Sequence, residues 1–206
     1  AMEIFGLHQY IKDVTRRLAK LGAFAVAPDY YFRKGVDLTK ITEIKDLLPI
    51  VNAKPDAELL SDLDATVAWA GAQGGDATRL GIIGFCLGGT MAYLAASRTD
   101  VDAAVGYYGT RIHLFTDEGK GVAKPLILHF GELDHTTPPE LLQGQILPAI
   151  AGNAHVQPFV YPGMVHAFAN HRRPDTYNAE VTRQADTRTF AHFRKWLTPA
   201  KAAATA

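Results

Sequence analysis

Residues 81–97 read GIIGFCLGGTMAYLAAS: an apolar run, a cysteine set among glycines, then a segment with helical spacing. No other stretch limits the possible folds as sharply. Glycines 84, 88 and 89 let a buried strand turn tightly into a helix without side-chain collision. The residue at the turn, Cys86, is then strained and projects at the helix N-terminus. Cys86 is the only cysteine among 206 residues, so no disulfide can form within the chain. Alone, a buried free cysteine is a small hydrophobe. The glycine setting favours a nucleophile instead, because a helix N-terminus stabilises a thiolate, and the backbone N–H of Leu87 would face an oxyanion.

Strand and helix signals alternate along most of the chain. Ile11, Val14, Leu18 and Leu21 share one helical face, Gly22 is placed to end that helix, and AFAVAP (23–28) follows as a short buried strand. From Asp29 to Pro55 the periodicity is weak, with a helical turn or two around 40–50. Asp56 to Ala70 reads as a helix through Leu59, Leu60, Leu63 and Val67, and RLGIIGF as a fully buried strand. The pattern continues with a helix over 88–98, strands AAVGYY and PLILHF, a helix over 139–151, strand QPFVYP and a terminal helix over 177–197. Such alternation predicts an α/β domain, with a mostly parallel central sheet and helices on both faces. The length fits a single domain over 1–206, with 199–206 as a flexible tail.

Composition narrows the partners. Lys plus Arg equal Asp plus Glu at 21 each, without a basic or acidic block, so neither nucleic acid nor a membrane surface is an expected partner. No apolar run approaches the length that crosses a bilayer. A lone cysteine and the lack of a secretory start fit a reducing, cytoplasmic setting, with a small-molecule partner and a monomer or homodimer. His129, Glu132 and His135 follow no zinc-ligand spacing, and neither a metal nor a cofactor is expected.

Two further loops follow predicted strands. In open parallel sheets, reactive groups gather beyond the carboxyl ends of the strands. After PLILHF come Glu132 and Asp134; after QPFVYP comes His166. With Cys86 these give the chain order nucleophile, acid, histidine of the α/β-hydrolase fold. In that arrangement His166 takes the thiol proton, and an acid, Asp134 or Glu132, orients the imidazole.

The segments MEIFGL, APDYYFRKG, DLDATVAWA, GFCLGG, AVGYYG, LHFGELD and YPGMVHAF stand in the order seen in the dienelactone hydrolases, which the chain resembles over nearly its whole length. The resemblance implies an α/β-hydrolase fold and hydrolysis of small lactones or activated esters through a thiol acyl-enzyme. It implies Cys86, Asp134 and His166 as the triad, Glu3 as the acid beside the resting thiol, and the Ile4 and Leu87 N–H groups as the oxyanion hole. Ala68 stands where family members acting on dienelactone carry one carboxylate-binding arginine, and Arg188 fits the place of the other. Tyr108 and Phe168 are candidates for lining the substrate pocket, and Arg188 for holding a substrate carboxylate. The matching region begins at the end of the family's third strand, so the sheet is expected to lack its N-terminal strands. Ala1 before Met2 reads as a tag remnant, and the start is expected to be late or truncated. The alternative is an inactive relative, or a fragment that requires association with another chain.

Overall fold

The computed structural model describes residues 1–198, so the tail expected at 199–206 lies outside the described residues. Four strands, β1 (Gly81–Phe85), β2 (Ala103–Tyr107), β3 (Leu126–Gly131) and β4 (Val156–Tyr161), form one sheet in the order β1-β2-β3-β4. All three pairings are parallel, with Phe85 beside Tyr107, Tyr107 beside His129 and His129 beside Phe159. Strands β2 and β3 are buried along their whole length, as central parallel strands are when both faces are covered.

Successive residues on each strand serve two separate cores. On one face Ile82, Ala104, Leu126, Leu128 and Phe130 pack with helix α4 (Leu87–Arg98). The 3-10 segment Ile112–Gly121 and the helical stretch over 139–150 pack on the same face. That stretch joins α5 (Pro139–Leu141) to α6 (Leu147–Ile150) through a π-helical turn at Leu142–Ile146. On the opposite face Phe85, Val105, Tyr107 and Ile127 meet α1 (Gln9–Lys20) and the C-terminal helix. The helices α2 (Ile44–Asn52) and α3 (Asp56–Ala72) fall in the region after the first predicted strand. The last helix, α7 (Ala179–Leu197), starts at Asn178, whose side chain accepts the Val181 N–H.

Two expectations fail at the start of the chain. Residues 23–28 form no strand, and Phe24 is 51% exposed. A strand needs a neighbour to satisfy its backbone groups, and β1, the free edge of the sheet, pairs instead with the first residue: Phe85 N–H donates to Ala1 C=O. Leu21, expected on the buried face of α1, is exposed beyond the helix end, and Tyr10 fills that face with Ile11 and Val14.

Candidate active site

Cys86, Tyr108, Asp134 and His166 each follow the carboxyl end of a different strand, so sheet order alone brings them to one edge. Cys86 sits between β1 and α4 at φ 56°, ψ −118°, a conformation L-residues rarely adopt. Its N–H donates to Tyr107 C=O at 3.0 Å, and its C=O accepts from Gly89 N–H at 2.9 Å. The turn requires glycine at 84: a Cβ there would lie 1.7 Å from the Gly88 carbonyl oxygen. Two other non-glycine residues with positive φ, Tyr108 and Ala167, stand at the same edge, the second directly after His166. Backbone strain of this kind persists only where surrounding structure holds it, and functional sites are where it concentrates.

His166 is held by the loop after β3. Its Nδ1 lies 2.8 Å from Asp134 Oδ2, and Asp134 is 1% exposed. The other carboxylate oxygen, Oδ1, accepts the Thr136 N–H at 2.8 Å and the Thr136 hydroxyl at 2.7 Å. Burial opposes ionisation of Asp134, but the His166 and Thr136 hydrogen bonds outweigh it and hold the carboxyl below its ordinary range. Burial likewise opposes the imidazolium, yet Asp134 and the adjacent Cys86 push His166 up to about 10. Nδ1 is occupied by Asp134, which leaves Nε2 for the thiol. Glu132, the rival acid, instead accepts the Gly163 N–H at 2.9 Å. His135 is exposed.

Cys86 and His166 open into a cavity of ≈ 380 Å³, also lined by Glu3, His8, Asn170 and Arg173. Glu3 is 4% exposed and accepts the Asn170 side-chain N–H at 3.2 Å. His8 Nε2 lies 2.9 Å from the same carboxylate, outside hydrogen-bond alignment. Sequence reasoning placed Glu3 here but missed Thr136, His8 and Asn170. Only Thr136 left a local signal, the Asp-x-Thr spacing of a turn whose side chain bonds the backbone two residues on.

None of the three proposed pocket residues, Arg188, Phe168 and Tyr108, lines the Cys86 cavity. Arg188 lines a different, larger hollow of ≈ 500 Å³ with Phe159, His192 and Trp196. Its guanidinium donates to the Tyr161 hydroxyl at 2.8 Å and lies 4.3 Å from the centroid of Phe159. Position on the terminal helix fixed that outcome, because α7 packs across β2 and β3 and turns Arg188 toward the β4 side. Phe168 is fully buried between Tyr108 and Tyr161, a core residue rather than a lining one. Tyr108 is fully buried too, its ring edge-on to His166 at 5.0 Å between centroids, so it braces the imidazole. Ile4 N–H donates to no backbone carbonyl among the described residues. Leu87 is the first residue of α4, where a helical N–H has no intrahelical acceptor.

No three His, Cys, Asp or Glu side chains among the described residues converge as metal ligands. His129 is consumed in the core by the Tyr161 hydroxyl at 2.9 Å and the Thr189 hydroxyl at 3.1 Å, and burial pulls it down to about 3. No helix among those residues is long and apolar enough to cross a membrane.

Known proteins share this arrangement of elements. The chain is 39% identical over 188 residues to a Yersinia pestis protein described as "Putative carboxymethylenebutenolidase", covering 86% of this chain and 70% of the relative. An Escherichia coli K12 protein of the same description is 38% identical over 192 residues, covering 87% of this chain and 69% of the relative. A crystal structure from Klebsiella pneumoniae, described as "Putative Dienelactone Hydrolase", superposes with a TM-score of 0.86 at 34% identity, covering 95% of this chain and 85% of the other. The model of the dienelactone hydrolase family matches residues 1–197. With strand order, elbow and sequence in agreement, the chain belongs to the dienelactone hydrolase family.

Proposed function

We propose that this protein hydrolyses small lactones or activated esters with Cys86 as nucleophile, through a thiol acyl-enzyme. The observation that carries this reading is the position of His166, its Nδ1 bound to a buried carboxylate and its ring lining the same cavity as Cys86. His166 takes the thiol proton through Nε2, and the Cys86 sulfur adds to the substrate carbonyl. The N–H groups of Ile4 and Leu87 stabilise the resulting oxyanion. As the carbon–oxygen bond breaks, the imidazolium returns its proton to the leaving oxygen. Water, activated by the neutral imidazole, then cleaves the thioester and frees the acid. Asp134 keeps the imidazole in the tautomer these transfers need.

Glu3 supplies negative charge beside the resting thiol and is held in place by the Asn170 side-chain N–H. The chain acts as one α/β domain, a cytoplasmic monomer or homodimer, on a small-molecule substrate. It uses neither metal nor organic cofactor. Comparing kcat/KM for Cys86→Ala with the parent protein over a panel of aryl esters and small lactones tests the reading. Loss of turnover on all of them is expected; parent-level rates in the variant would overturn it.

A further inference from the structure

The ≈ 500 Å³ hollow between β4 and α7 shares no lining residue with the Cys86 cavity. Strand alternation builds its floor. Pro125 and Ile127 come from one side of β3, and His155, Gln157 and Phe159 from one side of β4. Arg188, His192 and Lys195 recur at helical spacing along α7 and form its wall, with Trp196 beside them. An apolar floor with a few charged groups at one side is the make-up of a small-molecule site.

Its positive charge is uncompensated, in a chain whose opposite charges balance at 21 each. No Asp or Glu lines the hollow, and neither Arg188 nor Lys195 forms an ion pair among the described residues. Asp186, two residues before Arg188, is taken by Arg17 at 2.7 Å. Arg188 is half-buried and fixed, one N–H donated to the Tyr161 hydroxyl and the guanidinium over Phe159. Its other N–H groups have no acceptor among the described residues. The Lys195 ammonium lies 4.6 Å from the centroid of Trp196. Neighbouring imidazoles register this field. Burial pulls His129 down to about 3, with Arg188 and His192 adding to the shift. Burial also pulls His192 down, with the Pro125 carbonyl opposing and Lys195 adding.

We propose that this hollow binds a small aromatic carboxylate, at a site separate from the Cys86 cavity. The carboxylate accepts the guanidinium N–H groups that Tyr161 leaves free, and Lys195 adds charge. The ring rests on Pro125 and Ile127 with the Trp196 indole at its edge. The site does not depend on which residue attacks the ester.

The test is titration of the nitrogen-15-labelled protein with benzoate and with benzamide, which share a ring and differ in charge, read from backbone amide shifts. Benzoate is expected to shift amides of 155–159 and 188–196 saturably, with a Kd about tenfold or more below that of benzamide. Arg188→Gln weakens benzoate by roughly tenfold, and Arg188→Lys, which lacks the planar fork, recovers only part. Lys195→Gln, an exposed change that keeps the fold even where Arg188→Gln does not, weakens it by about threefold at low salt. Benzoate shifts confined to amides around Cys86, or no saturable shift at all, would overturn the site. So would equal affinity for benzamide, or unchanged affinity in both Gln variants.

Discussion

Asp134 Oδ2 and His166 Nδ1 lie 2.8 Å apart across 32 residues of sequence, joined at the edge of the sheet by the loops after β3 and β4. Leu133 N–H donates to Met164 C=O at 2.8 Å, so the backbones of the two loops are tied independently of the side chains. The acid and the base are thus held by a frame that neither residue creates.

That pairing predicts a pH profile. His166 is pushed up to about 10, so its imidazolium form is lost as pH rises through about 10. The alkaline limb of kcat/KM is expected there, and Asp134→Asn should move it downward. The same variant should lower kcat/KM by on the order of 10³-fold through loss of the correct tautomer. Stability follows the same groups. The His166 contribution, with its folded pKa raised above the ordinary 6.5, is complete below about 6.5 and fades up to about 10. The Asp134 contribution is complete above its ordinary 3.8 and is lost as pH falls through its lowered value. Urea unfolding across pH in the parent and in Asp134→Asn checks both signs.

Thr136 is predicted to be a positioning residue. Thr136→Val removes the hydroxyl bond to Asp134 Oδ1 and the 3.2 Å approach to His166 Nδ1, while leaving the backbone donor in place. A fall in kcat of about tenfold with KM unchanged is expected, and Thr136→Ser should restore the rate. Equal rates in Val and Ser variants would remove Thr136 from the site.

The elbow should tolerate no side chain at 84. Gly84→Ala drives a Cβ into the Gly88 backbone, which cannot swing aside as a side chain can. A loss of stability of about 3 kcal/mol or more is expected from urea midpoints, with loss of activity in the fraction that still folds.

The legible part of this fold was the part whose signal is local. β1 to β3 are short apolar runs bounded by turns, and the predicted limits differ from the observed ones by a residue or two. β2 and β3 are buried throughout, whereas β1, expected to be fully buried, leaves Gly81 exposed and Ile83 half-buried at the sheet edge. AFAVAP has the same composition and forms no strand, because pairing depends on a neighbour that composition does not reveal. Cys86 and His166 were visible from glycine spacing and strand order, and Asp134 was separated from Glu132 by resemblance before the Gly163 contact showed Glu132 engaged. Asn170 was invisible, since its meaning comes from Glu3, 167 residues away. Arg188 failed for the complementary reason: position along a helix does not say which side of the sheet edge the side chain serves.

Arg188 and Phe168 give contrasting checks on that correction. Arg188→Ala should leave KM for small esters unchanged, because the guanidinium is engaged with Tyr161 and Phe159 away from the Cys86 cavity. Phe168→Ala should cost about 3–5 kcal/mol of stability, as truncation of a fully buried aromatic does. A KM increase in Arg188→Ala without loss of stability would return Arg188 to the substrate site.

The central claim is that Cys86 carries the acyl group. Mixing the protein with an activated aryl ester, quenching over time and recording intact and peptide masses reads that bond directly. An acyl adduct on the Cys86 peptide that forms, decays at the turnover rate and is absent in Cys86→Ala is the predicted result. Ester hydrolysis by the parent protein with no adduct on Cys86, and at the same rate in Cys86→Ala, would contradict it.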